Sequence, residues 1–117
     1  MLEEKSKELG RMLGQSSEYQ SLKRTSEALN KDADAMALLQ QMEKLRGDAQ
    51  ELIQKGEQPT PEMEKQLDAL LEKIQTQDVY QRAVVAQENF DKTMSKVNQW
   101  IMDGMKKGAV SPIITLG

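Results

Sequence analysis

Two side chains that carry much of protein chemistry are missing: the 117 residues contain no histidine and no cysteine. Without histidine the commonest general base and the imidazole metal ligand are gone. Without cysteine there are no disulfides, no thiol redox steps and no thiolate metal sites, and the usual nucleophile–base pairs cannot be built. A cysteine-free chain suits a reducing cytosol. Aromatics are scarce at 3%, limited to Tyr19, Tyr80, Phe90 and Trp100, and only three prolines occur. β-Branched residues are few before the last ten positions, which argues against a sheet. Charge of one sign does not accumulate either. The net charge is −3, and the adjacent cationic pairs are Lys23-Arg24 and Lys106-Lys107. A nucleic-acid groove needs a clustered basic face, so no direct nucleic-acid partner is expected. The charged start Met1-Leu2-Glu3-Glu4-Lys5 has no apolar signal region, and no apolar run approaches the ~20 residues of a membrane span. The expected setting is cytoplasmic, with no membrane partner.

What is present is a helical vocabulary of Leu, Met, Ala, Glu, Gln and Lys. Leu2, Leu9, Met12 and Leu13 predict a first helix over 2–14, with Gly14 as its stop. Ser17, with Gln20 three residues on, suits the N-cap of a second helix carrying Tyr19, Leu22, Ser26 and Leu29 and ending around Asn30. Asp32 is the next N-cap. In the segment that follows, about 33–55, Leu38, Met42, Leu45, Ala49 and Leu52 step by fours and threes. Gly56 suits the residue just past a helix end, Thr60 an N-cap, and Pro61 the first position of a new helix. So short a linker predicts antiparallel neighbours.

After that turn Met63, Leu67, Leu70 and Ile74 repeat the spacing. Tyr80, Ala83, Gln87, Phe90, Met94, Val97 and Ile101 then form the longest sustained heptad pattern. The two patterns differ in phase, which requires a kink, a stammer or a break near Gln77; Asp78 with Gln81 is a candidate cap there. From Gly108 the chain turns uncharged and β-branched around Pro112. The expected division is one helical domain over 1–107 and an apolar tail over 108–117. A disordered tail, a strap and a docking peptide remain open for that tail, with Val110, Ile113, Ile114 and Leu116 as candidate docking residues.

Carboxylates are the remaining candidates for catalysis, in the pairs Glu62/Glu64 and Asp32/Asp34. Residues two apart on a helix face different directions, and acids at helix starts complement the macrodipole, so no catalytic site is expected. Asp32-x-Asp34 resembles the opening of a calcium loop. Met36 and Ala37 stand where that loop needs an oxygen ligand and a glycine, so neither metal nor cofactor is expected. Of the eight methionines, Met12, Met42, Met63 and Met94 suit helix seams, whereas Met102 and Met105 suit an exposed surface. Gln87 is the polar residue of the longest seam. It either reaches water at the edge or pins the register.

Two long helices with a three-four stripe make a narrow core and leave apolar surface uncovered in a single copy. The fold class expected is all-α, a long antiparallel helical hairpin with short N-terminal helices forming a dimeric helical bundle. The expected partner is the chain itself, as a homodimer or a higher even oligomer, with other proteins as further partners. The oligomer or partner interface falls on Tyr80, Ala83, Gln87, Phe90, Met94, Val97 and Ile101.

Laid out in order, Ser17-Glu18-Tyr19, Leu22-Lys23, Asn30, Asp32, the turn around Gly56, Ala86-Gln87-Glu88-Asn89-Phe90, Val97-Asn98 and Ile101 resemble the YlbF/YmcA family of bacterial helical proteins. The resemblance spans about residues 2–107. It implies an all-α fold of long packed helices, dimeric or higher assembly, and a role as a regulatory partner. Best-known relatives act in a complex that influences competence, biofilm formation and sporulation, through the membrane-attached endoribonuclease RNase Y. Some bind iron–sulfur clusters through cysteines, which this chain lacks, so that function does not carry over. The chain is closer to a cysteine-free, YheA-like branch. The function expected is a non-enzymatic regulatory adaptor. A structural or chaperone-like coiled-coil protein is the alternative, and an enzyme or small-ligand binder using carboxylates is a third reading.

Overall fold

The structure is a computed structural model that describes the backbone of residues 1–116 and the side chains as far as Ala109. The proposed docking side chains Val110, Ile113, Ile114 and Leu116 lie outside the described residues. Among the described residues there are five helices and no strand: α1 (Leu2–Gly14), α2 (Ser17–Lys31), α3 (Ala33–Gln54), α4 (Pro61–Gln75) and α5 (Asp78–Leu116).

Cap chemistry sets the boundaries. The Asp32 carboxylate accepts the amide of Ala35 at 2.8 Å, closing the first turn of α3, and Thr60 Oγ1 accepts from Met63 at 3.2 Å ahead of Pro61. At the other end of α3, Gly56 adopts φ +83°, and the amide of Glu57 reaches back to the carbonyl of Leu52 at 2.8 Å. This is a left-handed glycine stop that satisfies otherwise orphaned carbonyls. The α2 cap is Ser16 rather than the expected Ser17. Ser16 Oγ accepts from Tyr19 at 3.2 Å while its hydroxyl donates to the Leu13 carbonyl at 2.6 Å, so one side chain ends α1 and starts α2. The Gln20 amide donates to the Gly14 carbonyl at 2.8 Å instead of closing a capping box.

The phase change near Gln77 is a true break. α4 ends at Gln75, and α5 begins at Asp78. Asp78 is not the cap: it pairs with Arg82 at 3.0 Å, one turn along α5, and the Gln81 amide donates back to the Gln75 carbonyl.

The packing divides the helices into two pairs. α3 and α4 form the expected hairpin, and α2 runs antiparallel along the first half of α5, with Tyr19 near Phe90 and Ala28 near Val79. The pairs join where Ala35, Met42, Leu70 and Ile74 are buried, with Leu29, Val79 and Tyr80 packed around them. Ile74 is fully enclosed. On α5, Ala86 and Val97 are buried as well, and small residues at 83 and 86 suit a close approach by α2. A compact chain of this length has a radius of gyration of roughly 13 Å. The observed value is 21.3 Å, with extents of 64 × 38 × 20 Å, so the molecule is a set of rods with a large surface.

Two glycines separate helix propensity from backbone geometry. Gly47 lies inside α3, and a Cβ there meets nothing within 4 Å. Gly47→Ala should therefore stabilise the fold by about 0.5–1 kcal/mol. Gly56→Ala, at positive φ, should destabilise it by about 1–2 kcal/mol although the space is open. Urea denaturation of both variants checks the opposite signs. Asp32→Ala should cost about 1 kcal/mol by removing the α3 cap, read by the same titration.

Candidate protein-interaction surface

The seven residues of the long heptad pattern have different fates in the structure. Tyr80 packs against the central cluster, and Ala83, Phe90 and Met94 are half-buried. The Phe90 ring meets Tyr19 edge-on, centroids 5.6 Å apart and planes at 61°. Such a pair contributes about 0.5–1.5 kcal/mol beyond its buried area. Val97 is buried at 5% exposure, whereas Ile101, one turn further, is 46% exposed. The stripe is thus covered by α2 within one chain for most of its length and open at its distal end. The buried position between Ala83 and Phe90 is Ala86, and Gln87 is exposed beside it, its amide donating to Asp91 at 2.9 Å.

Four large apolar side chains stand clear at that distal end. Trp100 is 65% exposed, Met102 53% and Met105 67%, alongside Ile101. Ile101 and Met105 continue the line of Phe90, Met94 and Val97 at helical spacing. Met102 and Met105 match the sequence expectation of an exposed surface. Trp100 lies off the heptad stripe, so periodicity does not single it out. Its signal is its type: a lone tryptophan in a chain with 3% aromatics, placed where packing does not require it. Exposed tryptophans are frequent anchors of protein interfaces.

The carboxylate pairs occupy helix starts. Asp32 caps α3, and Asp34, Glu62 and Glu64 sit in first turns, where their charge complements the helix dipole. Among the described residues no group of three or more Asp or Glu converges as a metal site would require, and no buried side-chain polar atom lacks a partner. The concavities are open grooves between paired helices. One, between α2 and α5, is lined by Ser21, Thr25, Arg82, Val85 and Asn89. No described helix is long and apolar enough to cross a membrane.

Bacterial proteins of similar sequence and shape are known. A UPF0342 protein of Limosilactobacillus reuteri is 29% identical over 94 residues, 80% of this chain and 76% of that protein. A UPF0342 protein of Streptococcus gordonii is 25% identical over 96 residues, 82% of this chain and 86% of the other. The fold is similar to Bacillus subtilis RicA, solved in complex with RicF, with a TM-score of 0.78 at 14% identity, covering 92% of this chain and 95% of that one. The family model described as control of competence regulator ComK, YlbF/YmcA, matches residues 2–106, and the chain belongs to that family.

Proposed function

We propose that this protein is a non-enzymatic regulatory adaptor of the cytoplasm. It self-associates through its helices and presents the distal end of α5 to a second protein. The observation that carries the reading is the apolar stripe of α5, buried as far as Val97 and exposed at Ile101 and Met105 beside Trp100. Membership of a family described as a competence regulator supports a regulatory role. The fold neighbour RicA was solved in complex with RicF, which supports a protein partner here. The stripe from Tyr80 to Ile101 is the proposed interface, and its last turn is the part free to receive a partner. The backbone of α5 runs on to Leu116, and the apolar residues of the 108–117 tail, outside the 1–107 domain, are proposed to dock on the same partner.

Affinity capture from the native host tests this reading. Trp100→Ala and Met105→Ala should each weaken capture of a stoichiometric partner by about 1–2 kcal/mol, roughly five- to thirtyfold, while the far-UV circular dichroism stays unchanged. Deleting residues 108–117 should weaken it further. Trp100 also reports directly, because burial under a partner should shift its fluorescence to the blue. Capture that is indifferent to both substitutions and to the deletion would remove this surface from consideration. Suppressed aggregation of unrelated unfolded clients, with no stoichiometric partner, would favour the chaperone-like alternative.

A further inference from the structure

We propose that α1 closes onto the bare end of α5 within one chain and so competes with the partner for it. The competition rests on the reading of that end as a partner surface; the closure rests on the geometry of the chain alone. α2 runs antiparallel to α5, with Tyr19 against Phe90 and with Ser17 lining one groove with Thr93 and Lys96. α1 therefore ends near the height of Val97. From that point exposure rises along both helices. On α5 it climbs from 5% at Val97 to 46% at Ile101 and 67% at Met105. On α1, Leu13 and Leu9 are half-buried and Leu2 is 83% exposed. α1 packs closely with no helix but α2, and none of its residues is buried. Two apolar stripes thus start from a common root, and each lacks cover toward its free end.

Closure continues the antiparallel course of α2 past the turn at Gln15 and Ser16. At 1.5 Å per residue α1 is about 20 Å long, the same length as α5 from Val97 to Ala109. The register of Tyr19 and Phe90, carried on to within one residue, sets Leu13 over Val97 and Leu9 over Ile101. Gly104 and Gly108 lie seven residues beyond Val97 and Ile101, on the same face of α5, and a Cβ at either meets nothing within 4 Å. They leave room for a helix to approach closely. The residues flanking the two stripes match as well. Met12 and Trp100, each 65% exposed, fall on one side of the closed pair, a thioether beside an indole. Glu3 and Lys106 fall at one height on the other side, a carboxylate beside an ammonium. Glu3 pairs with Lys7 at 2.8 Å in the open arrangement, and no ion pair among the described residues includes Lys106. Length, register, apolar spacing and charge on α1 all fit the bare end of α5.

The chain has no cysteine, so an introduced pair holds its only thiols. The experiment is oxidation of the full chain carrying Leu9→Cys and Ile101→Cys, at micromolar concentration and without any partner. The expected product is a disulfide within one chain of about the 13.2 kDa chain mass. It should form roughly tenfold or more faster than in a chain carrying Leu9→Cys and Gln99→Cys, whose second thiol lies on the far face of α5. Locking should also shift Trp100 fluorescence to the blue as Met12 covers the indole. Equal rates for the two pairs, no disulfide, or a product of twice the chain mass would overturn the closure, the last by placing α1 on a second copy. The oxidised chain should then lose the partner that its reduced form captures. Capture unchanged by locking would overturn the competition. A disulfide that forms while neither form captures a partner would overturn the partner reading, and the competition with it, and leave the closure standing.

Discussion

Ile74→Ala should lower stability by about 3 kcal/mol and the melting temperature by roughly 10 °C or more. Ile74 is fully buried where α3, α4 and the start of α5 meet, in contact with the cluster of Ala35, Met42 and Leu70. Removing three of its carbons leaves a cavity that helices held on several sides cannot fill. In an extended molecule with few buried side chains, this is a large part of the total, since whole domains are stable by only about 5–15 kcal/mol. Thermal denaturation followed at 222 nm measures it. A shift of less than a few degrees would mean that the junction is less tightly packed than the structure shows.

Phe90→Ala should have the second largest effect, and a local one. Phe90 meets Tyr19 edge-on at 5.6 Å, between Ala86 and Val97 on the face that α2 covers. Full burial would make the loss about 3–5 kcal/mol. The half-buried ring should cost less, about 2 kcal/mol. The central cluster is drawn from α3 and α4, so the damage should stay in the α2–α5 pair. Hydrogen exchange should show faster opening of α2 amides with those of α4 unchanged. A double-mutant cycle with Tyr19→Ala should give a coupling of about 0.5–1.5 kcal/mol. Uniform loss of protection along the whole chain would indicate a single cooperative unit.

The parts of the fold legible in the sequence are those set by local chemistry. Asp32, Gly56, Thr60 and Pro61 each perform a task that few other residues can, and each stands where that task requires. A discontinuity near Gln77 is legible because two stripes of different phase cannot share one straight helix, but only the structure shows it to be a break and not a kink or a stammer. The α2 cap shifts from Ser17 to Ser16 because two adjacent serines offer the same hydroxyl, and only the exit of α1 selects between them. Asp78 does not cap α5 because it is already the first helical residue: the carbonyl of Gln77 accepts the amides of Tyr80 and Gln81.

Pairing is harder to read. Periodicity shows that the α5 stripe must be covered but not by what, and α2, some sixty residues away in sequence, covers most of it. Alanines at 83 and 86 leave the phase ambiguous, so the heptad pattern puts Gln87 on a seam that Ala86 occupies. Trp100 lies outside every pattern because a side chain left exposed obeys no packing period.

Association of helices is the claim on which the functional reading depends, and sedimentation equilibrium of the unmodified full chain at micromolar concentration tests it most directly. The expected result is a species of twice the 13.2 kDa chain mass, or a higher even multiple. A single species of 13.2 kDa would contradict it.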